Sequence, residues 1–232
     1  MCVINYVLCR HVSVIYIVLF TKPFHEKIMI QLRTYTFLNS LQPQLASYMA
    51  ATCRGYLPVA GEASLWIEIA PGMEINRITD VAQKSTDVKP AVQVVERAFG
   101  ILEVHAERQD SVLEAGRQIL SYLNMTENMR QKPAIKTNEI ITGVNDHQAM
   151  LINRTRKGNM LLGGQTLFIL EVQPAGYAMI AANEAEKATP LSLVDIQPIG
   201  AFGRLYLAGT DSEIQEAQKA AISVLEQIAG EV

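Results

Sequence analysis

LWIEIAPGMEINRITDVAQKST, residues 65 to 86, and FILEVQPAGYAMIAANEAEKAT, residues 168 to 189, read as one passage written twice. Laid over each other with a shift of 103 positions and no gap, they share Glu68 with Glu171, Pro71 with Pro174, Ala82 with Ala185, Lys84 with Lys187 and Thr86 with Thr189. The same shift holds over most of residues 32 to 105. Gly55 meets Gly158, Gly61 meets Gly164, and Ala98-Phe99-Gly100 meets Ala201-Phe202-Gly203. Glycine and proline fix where the backbone takes special dihedrals, so matched ones imply matched turns. The chain is two copies of one domain.

Each copy carries the same succession of elements. LWIEIA and LFILEV read as strands, closed by Pro71 and Pro174 ahead of helical segments that end near Thr86 and Thr189. Apolar strand pairs follow, AVQVVE then FGILEVH in the first copy and LVDIQP then GRLYLAG in the second. A second helix is marked by capping boxes, Ser111 with Glu114 and Thr210 with Glu213, and its apolar spacing runs to Leu123 and Ile228. The expectation is α+β twice, each an antiparallel or mixed sheet with helices on one side. The polar segment NMTENMRQKPA is expected to link them, giving a first domain over 30–123, a linker over 124–134 and a second domain over 135–232.

Residues 1–29 read differently. The apolar run Val12 to Phe20 is about half the roughly 20 residues that a membrane-crossing helix needs, and no Ala-x-Ala cleavage site follows it. This extension is expected to lie outside the fold, translated from an upstream start with Met29 as the initiator. A membrane-associating segment is the alternative. Cys2, Cys9 and Cys53 have neither disulfide nor zinc spacing, as in a reducing cytoplasm. Of the 232 residues, 49% are hydrophobic and 19% charged, enough for a packed core. A net charge of -3 lacks the basic excess of a nucleic-acid partner. Walker loops, Gly-x-Ser-x-Gly elbows and His-Glu-x-x-His helices are absent from the sequence.

The two copies resemble bacterial microcompartment (BMC) shell domains. The order of strand, lysine-ended helix, IG loop, strand and second helix in residues 167–221 is similar to that family. So are LRTYTFLNSLQPQLASYMA, INRITDVAQKS, VQVVERAFG, MLINRTRKGNML and AANEAEKA, which point to its tandem-domain carboxysome branch over Leu32 to Ile228. The resemblance implies permuted domains, with residues 32–63 and 135–166 moved to the front of each copy. It also implies a homotrimer whose six domains imitate a hexagonal tile around a threefold pore. A carboxysome shell location, self-assembly, other shell proteins as partners, and no catalysis or cofactor follow from it.

In shell domains the loop before the AFG strand faces the pore. Carried over, Glu96 and Arg97 line it in the first copy, and Ile199 and Gly200 hold that place in the second. Like charges meeting on an axis repel by about 4 kcal/mol at ~4 Å and an effective permittivity of ~20, so each arginine needs a carboxylate. Two pairing schemes, one across the pore and one folded back, would make a gate. Open, its arginines suit anionic sugar phosphates. By spacing alone, Glu96-Arg97 is an ordinary exposed pair worth about 0–1 kcal/mol.

Lys84 and Lys187 end the two first helices, where a cation suits the helix dipole. The resemblance places them at the tile edge. Arg154, Arg156 and Lys157 read as a solvated hairpin turn with Gly158 and Asn159, and an anion or trimer-stacking contact is the other reading. His105 and His147 lack metal-ligand spacing and read as surface or satisfied core residues. A ligand-binding sensor that builds no shell is the competing function. An enzyme would rest only on His105 lying near Glu96-Arg97 in sequence.

Overall fold

The computed structural model describes residues 29–231. The expectations for residues 1–28, including Cys2 and Cys9, lie outside the described residues. The first copy contains β1 (Gln31–Leu38), α1 (Pro43–Thr52), β2 (Ala63–Ala70), α2 (Ile75–Ser85), β3 (Lys89–Glu96), β4 (Phe99–Ala106) and α3 (Gln109–Leu123). The second repeats it as β5 (Ala134–Ile141), α4 (Asp146–Asn153), β6 (Thr166–Gln173), α5 (Tyr177–Ala188), β7 (Ser192–Gln197), β8 (Gly203–Gly209) and α6 (Asp211–Gln227). The sheets run β1-β2-β4-β3 and β5-β6-β8-β7, and every pair is antiparallel. The duplicated α+β architecture is as the sequence implies, with no parallel pair inside either sheet, but the helices do not keep to one side: α1 and α4 pack on the faces opposite α2–α3 and α5–α6, because both faces of each sheet are apolar.

Alternation along the strands divides the first sheet into two apolar faces. Leu65, Ile67, Leu102 and Val104 pack with Ile75 and Ile78 of α2 and Val112 and Ile119 of α3. Each such buried aliphatic side chain contributes about 1.5–3 kcal/mol. The opposite face presents Trp66 and Ile101, which join α1 and the second copy in one continuous core with Phe168, Tyr177 and Met179. The copies therefore share a core. The AFG glycines fit this packing closely: a Cβ on Gly100 would lie 2.2 Å from the Gly72 carbonyl oxygen, and one on Gly203 would lie 2.2 Å from that of Ala175.

Helix α1 crosses from its own copy onto the next. Its N-terminus has no side-chain cap of its own, and Glu186 of α5 supplies one, accepting from the Gln44 and Leu45 amides at 2.7 and 3.0 Å. Asn183 accepts from the Gln42 amide at 3.1 Å, and the Tyr48 hydroxyl bonds the Ile196 carbonyl of β7. The connecting segment is pinned as well. Arg130 donates to the Tyr35 carbonyl of β1 at 2.7 Å and to the Ala229 carbonyl at 2.9 Å, so three distant parts of the chain meet at one guanidinium.

Two local expectations differ from the structure. The Thr210–Glu213 box forms, with reciprocal bonds of 2.8 and 3.4 Å at the start of α6. The Ser111–Glu114 box does not, because α3 starts three residues earlier, behind Arg108 in place of Ser111. The Ser111 hydroxyl instead helps hold the Asp87 carboxyl below the usual carboxylate range. Arg154, Arg156 and Lys157 do not form a hairpin turn. They follow α4 in a segment that runs along the edge of β7, where the Gly158 and Asn159 amides donate to Val194 and Leu193 at 2.9 and 2.7 Å.

Candidate functional site: two unequal hairpin loops

Strands β3 and β4 pair down to Glu96 opposite Phe99, leaving only Arg97 and Ala98 to turn the chain. Arg97 takes a φ of 53°. A positive φ at the first turn position, and not at the second, is the pattern of a type II′ hairpin. For a residue with a Cβ a positive φ of this kind costs about 1–3 kcal/mol. The base of the hairpin is held from both sides. The Gly72 amide donates to the Ala98 carbonyl at 2.9 Å, and the Arg33 guanidinium lies 3.7 Å over the Phe99 ring. Arg33 is itself fixed by the buried Glu68, its Nε donating to the carboxylate at 2.7 Å.

The tip is free by comparison. The Arg97 side chain is 94% exposed, with its Nε 3.7 Å from a Glu96 carboxylate oxygen. A pair so exposed contributes about 0–1 kcal/mol, so it does not hold the tip in one arrangement. The second copy turns differently. Strand β7 stops at Gln197 and β8 starts at Gly203, so residues 198–202 form a longer, uncharged loop. Under the 103-position shift Arg97 falls on Gly200, whose φ is 118°. A Cβ there would meet nothing within 4 Å, so backbone conformation, and not space, favours glycine at Gly200. Where one copy uses glycine at a positive φ, the other uses arginine and bears the strain. Ile199 packs back against the shared core and carries no charge to the tip.

The other sequence-derived residues fall elsewhere. Lys84, in the last turn of α2, bonds only Asp80 on its own helix at 2.7 Å. Lys187, its counterpart on α5, bonds Glu184 at 2.6 Å and Asn39 of the first copy at 2.8 Å, so one lysine projects while the other bridges the copies. Arg154 is exposed, and Arg156 donates to the Gly158 carbonyl at 2.6 Å. His105 is a satisfied core residue: its Nδ1 lies 3.2 Å from Glu103, which also accepts from Ser64 at 2.6 Å and from the Ala91 amide at 3.1 Å. His147 is exposed. Among the described residues no cluster could hold a metal ion, and no helix is long and apolar enough to cross a membrane.

Sequence reasoning missed the asymmetry at the copy boundary. Tyr48 is 4% exposed, docked on β7, yet its counterpart Leu151 on α4 is 59% exposed. The 103-position shift itself carries that signal, because an apolar residue that is buried in one copy predicts a buried counterpart in the other.

Comparison with known proteins places this geometry. A family model described as the CsoS1D N-terminal domain matches residues 32–129. The carboxysome shell protein CcmP of Synechococcus elongatus is 50% identical over 201 residues, which cover 87% of this chain and 94% of that protein. Among solved structures, the fused permuted hexameric shell protein MSM0275 of the RMM microcompartment is 43% identical, with a TM-score of 0.84 over 87% of this chain and all of that one. The double ringed trimeric shell protein MSM0271 is 39% identical, with a TM-score of 0.83 over 87% of this chain and 98% of that one.

Proposed function

We propose, since this chain belongs to the family of carboxysome shell proteins with two fused microcompartment domains, that three copies of it close into a tile with a gated central pore. Within the chain, α1 of the first copy docks on α5 and β7 of the second. Repeating the contact between chains brings α4 onto α2 and β3 of the next protomer and buries Leu151 as Tyr48 is buried here. Three such contacts close a ring of six domains. The loops at Glu96-Arg97 and Ile199-Gly200 alternate around its axis, and Lys84 and Lys187 fall toward the tile edge.

Arg97 at a positive φ is the observation that carries the pore reading. A turn that glycine would make without strain keeps an arginine whose side chain touches almost nothing in its own chain. Arginine placed there gains its use from outside the chain. Three copies of the pair can bond around the axis, or fold each arginine back on its own glutamate, and these are the closed and open arrangements. An open pore lined with guanidinium groups admits phosphorylated sugars and other small anions. The role is passage and not catalysis.

Two tiles stack face to face in the same reading. Leu57 and Val59, and their counterparts Met160 and Leu162, are exposed in both copies. The first copy already makes the docking side of the ring contact within this chain, and the second already makes the receiving side. A position exposed in both is therefore outside the ring contact, and an apolar one is free to meet a second tile. A recurrent exposed apolar patch is what a second tile would cover. Arg154 and Arg156 lie on the same segment as Met160 and can pair across the stack.

Charge reversal at the tip tests the passage reading. In shells assembled with Arg97→Glu protein around an enzyme that consumes a sugar phosphate, flux of that substrate falls by about tenfold or more, because the field that concentrates anions is inverted. Flux of a neutral solute of the same size stays unchanged. Equal flux of the anion in both shells contradicts the reading.

A further inference from the structure

A crevice of about 720 Å³ lies at the seam between the copies, walled by the exit of α1, the middle of β3, the end of β7 and the loop that follows it. That is the size of a small-molecule site. One wall is apolar, made by Met49, Val92, Met179 and Ile196. Two cations line it, Arg54 and Lys157, and these are counterparts under the 103-position shift. Among the described residues, no aspartate or glutamate lines it. The nearby Asp195 carboxylate is already engaged, by the Tyr48 hydroxyl at 3.2 Å and the Lys157 amide at 3.3 Å.

Trp66 supplies an independent sign of a ligand. It is 2% exposed, it forms part of the crevice wall, and its indole N–H has no partner among the described residues. A buried donor without an acceptor costs about 1–3 kcal/mol. The second copy avoids that cost with Ile169 at the same place. An acceptor brought by a ligand would satisfy the indole.

We propose that the crevice binds a phosphorylated small molecule with a flat, largely apolar body, of the nucleoside monophosphate class. Its phosphate lies between Arg54 and Lys157, its body lies on the methionine and isoleucine wall, and one of its acceptors meets Trp66. Bare phosphate would leave that wall uncovered, and a sugar phosphate would set hydroxyls against it. The crevice also reaches the pore loops, through Val94 two residues before Glu96 and Ile199 one before Gly200. Occupancy therefore sets the spacing of the two loops and regulates the gate, a consequence that rests on the pore reading above.

Trp66 is the only tryptophan in the sequence, so its emission reports on the crevice directly. The full chain, assembled, is titrated with adenosine monophosphate, ribose 5-phosphate and inorganic phosphate. Adenosine monophosphate gives a saturable change, and ribose 5-phosphate binds about tenfold more weakly or worse for want of apolar contact. Replacing Arg54→Ser together with Lys157→Ser, both exposed and outside the core, weakens adenosine monophosphate about tenfold or more through the lost charged bonds. Arg97→Ala leaves binding unchanged. The absence of a saturable change, or an equal response to all three probes, overturns the site. So does binding lost in Arg97→Ala but kept in the double variant, which would put the anion in the pore. Amide exchange then reads the coupling: adenosine monophosphate slows exchange in residues 94–100 and 198–202. Binding without that protection overturns the regulatory consequence, while the pore reading stands or falls on the flux measurement.

Discussion

Leu151→Asp is expected to release single folded chains from the ring that the unaltered protein is proposed to form. Leu151 is already exposed in the chain, so the substitution removes no contact that the fold depends on. In the ring it would lie where Tyr48 lies within the chain, buried against a neighbouring copy. Each contact then loses the burial of a leucine, about 1.5–3 kcal/mol. It also buries an aspartate without a partner, which costs several kcal/mol more. The loss recurs at every contact around the ring. Met150→Asp is the control: its counterpart Ser47 is exposed beside the docked face of α1, so this change leaves the ring intact. Sedimentation velocity separates the outcomes, and a ring that survives Leu151→Asp rules out the repeated contact.

Glu68→Ala has the largest expected effect on stability. The carboxylate is fully buried, accepting from Arg33 at 2.7 Å within the first copy and from the Gly176 amide of the second at 3.2 Å. Removing it leaves the buried Arg33 guanidinium without a counter-charge, and breaking a buried pair in this way costs about 3–5 kcal/mol. Replacing both partners with apolar residues, Arg33→Met with Glu68→Leu, recovers most of that loss, because the stranded charge is gone. The counterpart change Glu171→Ala costs only about 0–1 kcal/mol in single chains, since the Glu171–Arg204 pair is partly solvated. Urea denaturation in the Leu151→Asp background measures all three without interference from assembly. Arg33 also holds Phe99 at the root of the β3–β4 hairpin, so Glu68→Ala loosens the Glu96-Arg97 tip along with the fold.

Residues that fix backbone geometry made the fold legible in the sequence. Gly100 and Gly203 sit where a Cβ would strike the backbone of a neighbouring turn, so they recur in register and expose the duplication. Six of the eight described strands were legible as short apolar runs bounded by turn residues, whereas β1 (QLRTYTFL) and β5 (AIKTNEII) interleave polar residues and only the resemblance pointed to them. Contacts between the copies were not legible. Gln44 with Glu186, Tyr48 with Asp195 and Gly176 with Glu68 join positions more than a hundred residues apart, and no local pattern announces them. The Ser111–Glu114 pattern was misleading because Ser-x-x-Glu also fits inside a first turn, and the helix began at Gln109, behind Arg108. Gly158-Asn159 suggested a hairpin, although the same small residues let a segment lie along a strand edge. At the β3–β4 turn the sequence supplied the charges, and only the resemblance proposed a place for them. The positive φ that sets Arg97 apart appears only in the structure.

Electron cryomicroscopy of the assembled chain tests the central claim most directly. The account predicts a threefold ring in which Leu151 is buried against the neighbouring protomer, with the Glu96 and Arg97 side chains converging on the axis in two arrangements, one crossing the pore and one folded away from it. A ring that leaves Leu151 in solvent, or one in which Glu96 and Arg97 point away from the axis, would contradict it.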